Sequence, residues 1–109
     1  PKTGLLPLPL KRGETVSVEL PVGEQVRQTN LQELTLWLHF NGDISTDQLQ
    51  VRLNRTEIVI RKRREAWHGI PLQAVHVKQG DNRLELTLDL PAGAPTPLLD
   101  GVQLLVRYR

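Results

Sequence analysis

The sequence predicts an all-β protein, an antiparallel two-sheet β-sandwich of about eight strands. Three observations carry that prediction. Apolar residues recur at every second position in short runs, Gly, Pro, Asn and Asp separate the runs, and helical spacing is nearly absent. A length of 109 residues, 39% of them hydrophobic, fits one domain around one core, so residues 1–109 are expected to form a single sandwich. A chain that begins Pro1-Lys2-Thr3 is expected to be a piece excised from a longer polypeptide. With only 4% aromatic residues, the core has to be aliphatic, each Leu or Val contributing about 1.5 to 3 kcal/mol when fully buried.

Taken in order, the segment from Leu5 to Leu10 is broken by Pro7 and Pro9, which cannot donate to a ladder, and belongs on a sheet edge if it is a strand. Thr15 to Leu20 places Val16, Val18 and Leu20 on one face and is stopped by Pro21 and Gly23. From Leu34 to Phe40, Leu34, Leu36, Leu38 and Phe40 face inward while Thr35, Trp37 and His39 face the other way. Gln48 to Leu53 and Glu57 to Arg61 read as two strands of a hairpin turned at Asn54-Arg55. Leu72 to Val77 reads as extended, and Gln79 to Asn82 as a turn in which Gly80 and Asn82 best tolerate positive φ. Arg83 to Leu90 alternates strongly, with Leu84, Leu86, Leu88 and Leu90 inward. Pro91 to Pro97 is a loop. Val102, Leu104, Val106 and Tyr108 make the last strand, and Leu105 on its opposite face predicts a central position with cover on both sides.

Composition excludes much chemistry. Fourteen Lys and Arg against twelve Asp and Glu leave a net charge of +2, which calls for neither nucleic acid nor membrane as a partner. The absence of cysteine removes disulfides, thiolate metal sites and cysteine nucleophiles. No apolar run approaches the roughly 20 residues of a membrane-spanning helix. The two serines, Ser17 and Ser45, lie in no nucleophile-elbow motif, and His39, His68 and His76 lack the paired spacing of a zinc site. Asn41 to Asp47 opens like a calcium loop but has Gln48 where Gly would follow and Asn54 where a bidentate Glu would close it, so a polar connection is expected. No catalytic residue, metal or cofactor is expected.

The candidate ligand-binding residues are Trp37, His39, Arg63, Trp67 and His68. Trp37 and His39, two apart on a strand, face the same way, and indole offers a flat apolar surface for the C–H face of a sugar. Such a face also suits packing by a neighbouring domain. Arg61 to Arg64 is the basic run, expected in a loop. With Trp67 and His68 beside it, it has the charge and stacking surface for an acidic polysaccharide or a single-stranded nucleic acid, although a solvated loop is the commoner use of such a run. Trp67 itself is expected on a loop.

The order of these features resembles the galactose-binding-like jelly-roll modules attached to bacterial glycoside hydrolases. The resemblance rests on Leu53-Asn54, Ile58, Trp67, the stretch Val77-Lys78-Gln79-Gly80-Asp81-Asn82-Arg83-Leu84-Glu85-Leu86, and the closing Gly101-Val102-Gln103-Leu104-Leu105-Val106-Arg107-Tyr108. It spans roughly residue 15 to the end. It implies a non-catalytic accessory module of a larger carbohydrate-active protein, one that binds glycan or braces a catalytic domain, with carbohydrate and neighbouring domains as partners. The alternative is a purely structural or protein-interaction sandwich with no small ligand. Localisation is unreadable in the residues; a module of such a bacterial protein would be secreted or periplasmic. Arg55 stands where the family usually has Gly, a departure that makes a two-residue type I′ turn less comfortable.

Overall fold

The structure, a computed structural model, describes residues 2–3 and 6–109, with side chains from Leu6 onward. Leu5, the first residue of the proline-interrupted segment, lies outside the described residues. The strands are β1 (Lys2–Thr3), β2 (Leu8–Pro9), β3 (Thr15–Val22), β4 (Leu31–Asn41), β5 (Leu49–Leu53), β6 (Thr56–Ile58), β7 (Lys62–Arg64), β8 (Trp67–Pro71), β9 (Gly80–Leu88) and β10 (Leu98–Tyr108). They form two five-stranded sheets, ordered β1-β3-β9-β5-β6 and β2-β10-β4-β8-β7. All pairings are antiparallel except β1 with β3. The predicted all-β sandwich is therefore observed, and its architecture is compatible with a jelly roll.

Alternation explains which face each strand buries. Val16, Val18, Val51, Leu53, Leu84, Leu86 and Leu88 of the first sheet meet Leu34, Leu36, Leu38, Phe40, Ile70 and Leu99 of the second in one aliphatic core. Leu8 and Leu10 are buried around the exposed Pro9, and β2 lies at the edge of its sheet, where a proline is tolerated. Pro91 to Pro97 is irregular, as its composition predicts.

The β5–β6 hairpin turns at Asn54 (φ 50) and Arg55 (φ 72), both left-handed, as a type I′ turn requires. Arg55 thus adopts the conformation that Gly usually supplies. What anchors the turn is the Asn54 side chain, whose Oδ1 accepts from Arg83 N (2.9 Å) and whose Nδ2 donates to Asn82 Oδ1 (2.8 Å).

Five local expectations are corrected. Gly80 has positive φ (99), but Asn82 does not; it belongs to β9 and is a fully buried hydrogen-bonding hub. Leu72 to Val77 is not extended, because a 3₁₀ turn occupies Ala74–His76. Leu72 and Val77 are five apart and would face opposite sides of a strand, whereas the turn lets both be buried and leaves Val75 84% exposed. The predicted strand from Glu57 to Arg61 ends at Ile58, after which the chain passes from the first sheet to the second. The basic run is not a loop, since Lys62–Arg64 is an edge strand paired with β8, and Trp67 opens that strand rather than sitting on a loop.

The last strand also differs from its sequence reading. On one side β10 pairs along its whole length with β4, but on the other it meets β2 only at Leu98 and Leu99. From Gly101 onward it is an edge among the described residues.

Candidate functional site

The outer face of the second sheet is organised in rows by strand register. Gly101, His39, Trp67 and Arg64 lie side by side across β10, β4, β8 and β7, and Gln103, Trp37, Gly69 and Lys62 form the next row. Leu105, Thr35 and Pro71 make a third, with Arg107 beside Glu33 in a fourth. Side chains one row apart here are two residues apart in sequence, which is why Trp37 and His39 share a face.

Both indoles lie along the sheet, and two glycines make room for them. A Cβ on Gly69 would come within 2.8 Å of Trp37 Cζ3 and 2.9 Å of its Cη2, so Trp37 leans from β4 across β8. A Cβ on Gly101 would come within 3.1 Å of Trp67 Cη2 and 3.0 Å of His39 Cβ, so Trp67 leans the other way, over β4 toward β10. On its path Trp67 meets the His39 ring edge-on, with centroids 4.8 Å apart and an interplanar angle of 60°. The His39 Nδ1 is hydrogen-bonded to Asp100 Oδ1, which fixes the imidazole against the indole. Asp100 reaches it because a register irregularity between Leu99 and Gly101 inserts one residue into β10.

Between the indoles is an open depression of about 330 Å³, lined by Trp37, Arg64, Trp67, Gln103 and Leu105. Both tryptophans are half-buried, whereas Arg64 and Gln103 are exposed. The face can therefore offer ring-stacking surface together with a guanidinium and an amide at its margin. Below it, Glu33 accepts from Arg107 Nη2 and from Thr35 Oγ1 (3.1 Å), with Lys62 Nζ 3.8 Å away. The Arg107 hydrogen bond, helped by Thr35 and Lys62, holds the Glu33 carboxyl below the usual carboxylate range, against the opposing effect of desolvation.

The structure brings together Trp37, His39 and Trp67, and separates His68 and Arg63 from them. His68 follows Trp67 in β8 and so points to the opposite face, where it is 1% exposed and packs edge-on against Phe40 (5.4 Å, 83°). Its Nδ1 has no hydrogen-bond partner among the described residues. Burial first, and the Arg63 charge second, push the His68 pKa below the ordinary histidine value. Arg63 pairs with His68 across the β7–β8 ladder and donates from Nε to Glu65 O (3.2 Å), so Arg64, not Arg63, borders the depression. Gln103 and Asp100 escaped the sequence reading, which noted Arg64 only within the basic run and Leu105 only as a residue of the last strand's outer face. Strand parity was the available signal for Arg64, because it and Trp67 face each other once Glu65-Ala66 is recognised as a hairpin turn. Among the described residues, no three His, Cys, Asp or Glu side chains gather as metal ligands would.

The fold and this face define a two-sheet β-sandwich with an aromatic outer surface. No known protein family matches the chain, and no curated protein is significantly similar to it.

Proposed function

We propose that this domain is a non-catalytic accessory module of a larger carbohydrate-active protein, of the galactose-binding-like kind, and that it binds a glycan on the outer face of its second sheet. One observation carries the reading: two half-buried indoles, laid along the sheet over glycines, flank an open depression edged by Arg64 and Gln103. Sugars present apolar C–H faces to indole and hydroxyls to polar neighbours, and this face offers both complements. The His39–Asp100 bond braces the Trp67 ring before any ligand arrives, which lowers the ordering cost of binding.

The test is isothermal calorimetry against plant and algal polysaccharides, after a glycan array has narrowed the choice. Saturable binding is expected, and Trp37→Ala or Trp67→Ala should each weaken it about tenfold, the loss of roughly 1.4 kcal/mol of stacking. Absence of binding to every glycan, or binding indifferent to both substitutions, would overturn the proposal and leave a structural or protein-interaction sandwich as the role.

A further inference from the structure

Among the described residues, the edge of β10 from Gly101 onward is the feature of the fold left without a partner. An unpaired edge is a template for another strand, and natural sheets protect theirs with short strands, prolines or charges. The other edges here are protected in that way. β6 and β7 have three residues each, β7 being Lys62-Arg63-Arg64, β2 carries Pro9, and the free stretch of β3 carries Glu19 and Pro21. Gly101–Tyr108 has no such device. It contains no proline and one charged residue, Arg107. Val102, Leu104 and Val106 point between the sheets, opposite Leu38, Leu36 and Leu34, yet remain only partly buried, whereas those three partners are fully covered. On the outer face Leu105 is 39% exposed. The sequence of this strand is that of a central one, and its position supplies half of a central strand's neighbours.

We propose that the edge of β10 is a dimerisation surface, on which a second copy of this chain pairs its own β10 in antiparallel register about a twofold axis at Leu104. The occupant has to present apolar residues at alternate positions and opposite charge at its ends, and β10 meets both conditions. Antiparallel pairing centred on Leu104 sets Val102 against Val106 of the second copy, Leu104 against its own equivalent, Gln103 against Leu105, and Gly101 against Arg107. No like charges face each other, and the Arg107–Arg109 end of each strand runs beside Asp100 of the other. The contact is isologous and closes on itself, so it ends the exposed edge instead of propagating it. It merges two five-stranded sheets into one and sets the two aromatic faces on the same surface, with the β4 strands about 14 Å apart at three strand spacings.

This inference is independent of the glycan reading. Sedimentation equilibrium from about 10 to about 500 μM should show a reversible monomer–dimer transition. Hydrogen exchange should show the edge-facing amides of Val102, Leu104 and Val106 gaining protection as the dimer fills, while those of Gly101, Gln103, Leu105 and Arg107, which face β4, are protected throughout. Leu104→Lys and Leu104→Glu each place like charges face to face on the axis and should abolish dimerisation, while an equimolar mixture of the two restores it. If either variant fails to fold, Leu105→Lys on the exposed face should weaken the parent dimer at least about tenfold. A monomer at the highest concentration overturns the proposal, as does a dimer indifferent to these substitutions. Protection of Val102, Leu104 and Val106 that is already complete in the monomer also overturns it, because a segment of the same chain would then cover the edge.

Discussion

Asn82 is a buried residue whose replacement by Asp separates two effects usually entangled, the loss of hydrogen bonds and the burial of charge. Its side chain is fully buried. Nδ2 lies within donating distance of three carbonyl oxygens, those of Leu20 (3.2 Å), Lys78 (2.9 Å) and Gly80 (3.1 Å), and Oδ1 accepts from Lys78 N (2.9 Å) and Asn54 Nδ2 (2.8 Å). Asn82→Asp keeps the shape and the acceptor but turns an acceptor-only oxygen toward three carbonyls. The folded state would then hold the new carboxyl protonated, its pKa raised from about 3.9 to above about 7 by desolvation and carbonyl repulsion. At neutral pH a rise of about three units costs roughly 4 kcal/mol, which is most of the lower range of stability for a domain of this size. The folded variant keeps its proton where the unfolded chain has released it, so the penalty grows with pH and shrinks by about 1.4 kcal/mol per unit on acidification. Asn82→Ala, by contrast, removes the side-chain donor from the three carbonyls and the acceptor from Lys78 N, leaves Asn54 Nδ2 with His76 O (3.1 Å) alone, and should cost about 3 kcal/mol with no such pH term of its own. Urea unfolding followed by Trp37 and Trp67 fluorescence at pH 5 and pH 7.5 measures both. The reasoning is refuted if Asn82→Asp lies within about 1 kcal/mol of the parent at pH 7.5, or if the two variants share one pH dependence.

His68→Leu should be neutral or stabilising near pH 7, because it removes a buried unpartnered nitrogen at nearly constant volume. With its folded pKa below the unfolded value, His68 binds its proton first in the unfolded chain. Its contribution is therefore complete above about pH 6.5 and lost as pH falls through the lowered folded pKa, and the same urea unfolding across pH 5–7 should show a flatter profile in the variant. Gly69→Ala should lift Trp37 off β8, costing about 1 kcal/mol in urea unfolding and red-shifting the tryptophan emission as the ring meets water. An unchanged emission spectrum would show that the indole does not depend on that glycine.

The fold was legible wherever a strand alternates leucine with a different type of residue. Leu34 to Phe40 and Arg83 to Leu90 announce their alternation because Thr35, Trp37, Glu85 and Thr87 contrast with the leucines between them. The candidate site was legible in part, through the same parity that puts Trp37 beside His39. It failed at β7 and β8, where Arg61 to Arg64 looks like a solvated loop. Once those residues are treated as unstructured, neighbours such as Trp67 and His68 are grouped by proximity, whereas strand geometry sends them to opposite sides. The Gly80-Asp81-Asn82 stretch misled differently. Its composition signals a turn, and Gly80 does take a left-handed φ of 99 where β9 begins, but Asn82 is a buried hub whose contacts with Leu20 and Asn54 arise only when three distant segments meet. Nor does the pattern of Val102 to Tyr108 say how many neighbours the strand will find.

The sockets beneath the two tryptophans separate the shape of the outer face from the packing of the core. Gly69 and Gly101 lie on the outside of the sheet, remote from the leucines that hold the layers together, so a methyl or hydroxymethyl group there tilts a ring without disturbing the interior. The pitch of each indole is thereby set by the floor under it, and the aromatic surface of such a scaffold can be reshaped by shimming that floor one atom at a time.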